Sequence, residues 1–253
     1  MRAMRTTALA VMTVVLATRA MAQETVAITG GTIYPVSGPK MENATIVFTN
    51  GVITAMGANV SIPANARRIE AAGKWITPGL VSPVTSLGVV EVGAVSDTRD
   101  SRARGTNNIA SSFRVWDAFN PRSVSLPVAR QDGGVTTVGV MPSGGMIAGQ
   151  GAAFDLREGE NADGMLRKAP VAMVATLDNA AAAGAGSRGE ALAKFRTLLR
   201  DAAAFNINRV RYDAGAMREL SASRSDLEAM QLVLKGTIPL EIGRASCRER
   251  VCT

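Results

Sequence analysis

The sequence contains no histidine. Chemistry that rests on an imidazole therefore has no carrier in these 253 residues: no Ser–His–Asp triad, no His general base, no His-rich zinc site. Cysteine is almost absent as well. Both copies, Cys247 and Cys252, lie at the extreme C-terminal end, which excludes a disulfide scaffold through the body of the chain. Aromatic residues make up only 4%, and no run of Lys or Arg exceeds two. A nucleic-acid surface would cluster basic residues among stacking rings, so scattered solvated charge is the reading and no nucleic-acid partner is expected. What is present is an ordinary globular balance, 47% hydrophobic and 19% charged, enough for a substantial core. Much of the formal charge of +7 sits at the ends, on Arg2, Arg5, Arg19, Arg244, Arg248 and Arg250.

Those ends read differently from the middle. Arg2 and Arg5 open residues 1–22, Ala8 to Ala17 is an apolar run, and Ala20-Met21-Ala22 places small residues before Gln23. This is the pattern of a secretory signal cleaved between Ala22 and Gln23, with export to the periplasm or beyond and no membrane span afterwards. The run is short for a spanning helix, although an uncleaved anchor is the competing reading. At the other end, Glu241 to Thr253 resembles the translated read-through of a short-read sequencing adapter. The alternative is a secreted tail closed by a Cys247–Cys252 disulfide, a loop too small to stabilise much. The expectation is that residues 241–253 are not native and that the natural text is cut near Leu240.

Between these ends the chain changes texture once. Residues 23–76 read as short strands: Val26–Thr29, Thr32–Tyr34, Ala44–Phe48, Val52–Met56 and one near Arg68–Ala71, with Asn50-Gly51 as a hairpin turn. From residue 77 to 240 strands alternate with helices. Leu80-Val81 leads a first apolar strand, Val135–Met141 and Val171–Ala175 read as buried strands, 96–112 as loop and Val124–Gln131 as a helix. Ser187 with Glu190, and Ser225 with Glu228, are capping-box signals. Leu192, Phe195, Leu199 and Ala203 form one expected apolar face; Leu227, Met230 and Leu234 form the next, ended by Gly236. Thr237 to Leu240 opens a further strand. Alternation of this kind predicts parallel βα units.

At Ile76-Thr77-Pro78-Gly79-Leu80-Val81 the order of elements resembles the amidohydrolase superfamily, in particular its secreted, imidazolonepropionase-like members. The likeness continues at Gly134–Val138 and Gly149-Gln150-Gly151 and covers most of residues 26–240. It implies an α/β fold: a TIM-type (β/α)8 barrel of a metal-dependent hydrolase preceded by a small β-sandwich unit. It also implies C–N bond hydrolysis of a small amide, cyclic amide or dipeptide by metal-activated water. A barrel of roughly 250 residues contains eight units of about 31 each. Residues 77–240 hold about five, so the barrel is expected to be incomplete.

The family's His-x-His pair at the end of the first barrel strand works because alternate strand residues point the same way and share a metal. Here Val84 and Ser86 occupy those positions, and Ser82 the preceding acidic one. No metal or other cofactor is therefore expected in this chain, while a zinc-like divalent metal is implied for a full-length parent. A catalytically inactive binding or structural protein of the periplasm is the rival reading. Arg99, Arg102 and Arg104, in a loop with Asp97 and Asp100, are candidates to grip a substrate carboxylate; the plainer reading is a mixed-charge solvated loop. Ser143-Gly144-Gly145 and Gly149-Gln150-Gly151 offer backbone N–H groups to an anion, or serve simply as tight turns. Thr85 and Ser86 lack a base for nucleophilic work. Lys168 and Lys194 are poorly placed to serve as a bridging carboxylated lysine.

Overall fold

The computed structural model describes residues 24–103, 108–177 and 184–243. The chain divides into two compact units, Met1–Pro78 and Gly79–Thr253.

The first unit is a five-stranded sheet of β1 (Thr25–Ile33), β2 (Met41–Thr49), β3 (Val52–Gly57), β4 (Arg67–Glu70) and β5 (Trp75–Ile76). Its order is β3-β2-β1-β4, with β5 also on β1. β1, β2 and β3 are antiparallel, whereas β4 and β5 run parallel to β1. Asn50 and Gly51 hold φ of 51° and 77°, the left-handed pair that a two-residue hairpin turn demands. The two short strands read at Val26–Thr29 and Thr32–Tyr34 are one strand with a register shift at Gly30-Gly31. That bulge lets Gly31 sit against Ile76, whose Cδ1 would lie 2.7 Å from an added Cβ. Ile33, Ala44 and Ile46 form the small core.

The second unit is a curled half-barrel, the incomplete α/β barrel expected. Its strands are β6 (Leu80–Thr85), β7 (Val135–Val140), β8 (Ile147–Asp155), β9 (Leu166–Thr176) and β10 (Leu240–Gly243), in the order β10-β9-β8-β7-β6. The helices are α1 (Ser125–Gln131), α2 (Ala162–Met165), α3 (Arg188–Ile207), α4 (Arg209–Asp213) and α5 (Arg224–Leu234). β6 and β7 are parallel, as are β9 and β10, but β8 is antiparallel to both neighbours. The uninterrupted parallel alternation expected from the sequence therefore fails at β8, which is reached from β7 by a short loop and left for β9 through a longer loop that ends in the one-turn helix α2, with no crossover helix on either side.

Gly149-Gln150-Gly151 belongs to this strand and not to a loop. Its glycines serve close packing: a Cβ on Gly149 would meet the Phe113 carbonyl oxygen at 2.6 Å, and the Gln150 N–H donates to that same oxygen at 2.8 Å. With its backbone engaged in this way, the segment is no anion cradle.

α3 begins where the sequence places it. Ser187 Oγ accepts from the Glu190 N–H at 3.2 Å, while the Glu190 carboxylate reaches back to the Gly186 N–H at 2.7 Å. Its buried face is rotated from the expected one. Ala191, Phe195, Leu198, Ala202 and Phe205 face inward with Asp201, whereas Leu192 is 40% exposed and Ala203 exposed. α5 is capped two residues before the expected position, by Ser223, whose Oγ accepts from the Asp226 N–H. The Ser-x-x-acid spacing occurs twice in Ser223–Glu228, and the earlier copy buries Asp226. Leu227 and Met230 are buried; Leu234, at 41% exposure, is not. Residues of β8, β9, α3 and α5 form one apolar cluster, and Phe119 stacked on Phe154 at 3.8 Å centres a second. The final strand starts at Leu240 rather than Thr237 because the Thr237 and Ile238 N–H groups donate to the Leu232 carbonyl at the end of α5, at 2.8 and 3.3 Å, and Pro239 has no N–H to donate. It continues through Glu241, Ile242 and Gly243, which pair with Val174, Ala175 and Thr176.

Candidate functional site

Because β6, β7, β9 and β10 run the same way, their C-terminal ends lie on one side of the sheet, and the following loops collect there. In barrels this is the face on which chemistry is built. At the end of β6, Ser82 is half-buried, Val84 is 59% exposed and Ser86 lies just past the strand, exposed. Pro83 breaks the register between Ser82 and Thr85, and the Met141 N–H closes the ladder onto the Thr85 carbonyl at 3.2 Å. A Cβ at Gly139 would fall 2.1 Å from the Pro83 carbonyl oxygen, so the two backbones meet here with no room for a side chain.

The donor set decides what this end can hold. Valine offers hydrocarbon and serine a neutral hydroxyl. Among the described residues no group of three His, Cys, Asp or Glu side chains converges as a metal site would require. These residues do not fit a catalytic zinc. Lys168 lies within β9, and Lys194 on α3 is paired with Glu190 at 3.0 Å and donates to the Gly184 carbonyl; neither sits at a strand end. Thr85 Oγ1 accepts from the Leu87 N–H at 3.2 Å.

The arginine loop after β6 does not act as one group. Arg99 is half-buried and bridged to Val90 through its backbone. Arg102 is exposed, and its guanidinium lies against the turn after β7, with Nε 3.3 Å from where a Gly144 Cβ would be. Arg104 lies outside the described residues. Ser101, the residue before Arg102, is buried and ties the loop to that turn: its carbonyl accepts from the Ser143 N–H at 2.7 Å, and the two hydroxyls are 3.2 Å apart.

A cavity of about 880 Å³ opens between the first turns of α3 and the segment Glu219–Ser223, lined also by Asn108, Met146 and Tyr212. Two buried carboxylates that sequence reasoning missed hold its wall. Asp226 accepts from the Ser112 N–H and hydroxyl at 2.9 and 2.8 Å and from the Ser223 hydroxyl at 2.5 Å. Asp201, 1% exposed, accepts from the Ser221 N–H at 2.8 Å and pairs with Arg218. Burial pushes the Asp201 carboxyl up, but hydrogen bonds from Arg218 and Ser221, with the Arg218 charge, more than offset it and leave it below the ordinary value. Glu190 is also held low, by the Gly186 N–H and Lys194. Asp201 carried no signal in the expected stripe of Leu192, Phe195, Leu199 and Ala203; it lies on the inward face only because the helix is rotated.

No family model matches the sequence, and no curated protein matches it. Among solved structures, an amidohydrolase from Thermotoga maritima superposes with a TM-score of 0.74 at 19% identity, covering 88% of this chain and 58% of that one. The likeness establishes the fold, and the chain spans little more than half the length of that relative. Shorter matches include a molinate hydrolase (TM-score 0.31, 30% identity, 46% of this chain and 23% of that one). Another is a prolidase complexed with N-methylphosphonate-L-proline (TM-score 0.30, 18% identity, 45% of this chain and 25% of that one).

Proposed function

We propose that this chain is part of a hydrolase of carbon–nitrogen bonds acting on a small molecule: a non-peptide amide, a cyclic amide or a dipeptide. The observation that carries the reading is the half-barrel itself, superposing over 88% of the chain on an amidohydrolase, with its loops gathered at the C-terminal strand ends. A location in the periplasm or outside the cell is part of this reading, supported by the signal-like pattern of residues 1–22. Since Val84 and Ser86 cannot serve as metal ligands, a zinc-like metal in the parent would draw its ligands from outside the described residues. One observation favours a second reading. The same two substitutions in otherwise family-like text are what a binding protein that lost hydrolysis would show.

The full-length natural protein, loaded with zinc and assayed against N-acyl amino acids, cyclic amides and dipeptides, separates these. Turnover of at least one class, abolished by chelation, is expected. Saturable binding without turnover across the panel would replace the hydrolase reading by the binding one.

A further inference from the structure

We propose that Arg102 and the turn Ser143–Gly145 form a carboxylate-binding subsite at the mouth of the half-barrel. Gly144 and Gly145 follow one another with φ of 86° and 71°, a backbone only glycine adopts at ease. Among the described residues neither half-buried glycine N–H has a hydrogen-bond partner, which leaves two adjacent donors in one turn unspent. The Arg102 guanidinium lies against this turn, and it makes no ion pair among the described residues. Asp100, the nearest acid along the chain, is exposed and makes none with it either. The Ser101–Ser143 contacts lock the two loops together, so the arginine and the turn are presented as one unit immediately beyond β7.

A planar carboxylate suits this arrangement, because one edge can take the guanidinium while the other oxygen accepts from the glycine N–H groups. The subsite narrows the proposed substrate to an anionic amide, an N-acyl amino acid or a dipeptide with a free carboxylate. That assignment, unlike the anion site itself, rests on the hydrolase reading.

The test is equilibrium dialysis of the chain against N-acetylglycine, acetate, neutral N-acetylglycinamide and inorganic phosphate. Saturable binding of both carboxylates is expected, with none of the amide. Arg102→Gln should weaken carboxylate binding roughly tenfold and Arg102→Lys less, both with an unchanged melting temperature since the side chain is exposed. Equal binding of the amide, binding of phosphate alone, or indifference to Arg102→Gln would overturn the subsite. Carboxylate binding by the chain with no turnover by the full-length protein would sink the hydrolase reading and leave the subsite standing. Turnover of neutral amides without carboxylate binding would do the reverse.

Discussion

Asp201→Ala is expected to destabilise the second unit by about 2 kcal/mol, the scale of losing the hydrogen bonds that a buried carboxylate accepts, since its partner Arg218 stays solvated. The carboxylate is 1% exposed on the inward face of α3 and holds Arg218 and the Ser221 N–H, so its removal strands a backbone donor and loosens the cavity wall. Asp201→Asn keeps an acceptor for Ser221 and should cost about half as much. The pH dependence follows from the direction of the shift. A carboxyl lowered by folding stabilises the native state above its unfolded value, near 4, and that contribution disappears as pH falls through the lower folded value. Urea titrations of the wild-type chain and Asp201→Asn should therefore differ at pH 7 and converge as pH falls below the unfolded value and through the lower folded one. A constant difference across that range would mean that the Arg218 pair contributes nothing through charge.

The second large effect concerns the sheet edge. β6 is the outer strand of its sheet among the described residues, and it exposes Leu80, Val81 and Val84 at 57, 64 and 59%. An apolar edge with unpaired backbone groups is a template for another strand. The chain should self-associate at micromolar concentration. Val81→Lys with Val84→Lys should weaken that association by roughly tenfold or more, since each valine forfeits about 1.5 kcal/mol of burial and gains a charge. Sedimentation velocity reads this directly; a wild-type chain that stays monomeric with a sharp melt would contradict it.

What could be read from the sequence was local. The Asn50-Gly51 turn, the Ser187 cap and the Gly236 stop are each determined by the chemistry of two or three neighbouring residues, and they appear where expected. The half-barrel followed from the alternation of strands and helices together with the family resemblance. β8 did not: no strand was expected at Ile147–Asp155, because Gly149-Gln150-Gly151 interrupts its apolar residues and reads as a turn. The α3 face was misread by one position: small alanines carry little hydrophobic contrast, and Asp201 looked like a solvent residue. The Arg102 contact with Gly144 joins loops separated by forty residues of sequence order, and neither loop announces the other. The candidate site was legible as residue types, not as a constellation.

The most direct measurement is zinc content and amide turnover of this chain after dialysis against zinc and gel filtration. With no histidine anywhere, Val84 and Ser86 at the aligned strand end, and no convergent donors among the described residues, sub-stoichiometric zinc and no hydrolysis are predicted. One zinc retained per chain, with turnover that chelation abolishes, would contradict the account and show that ligands other than histidine hold a catalytic metal here.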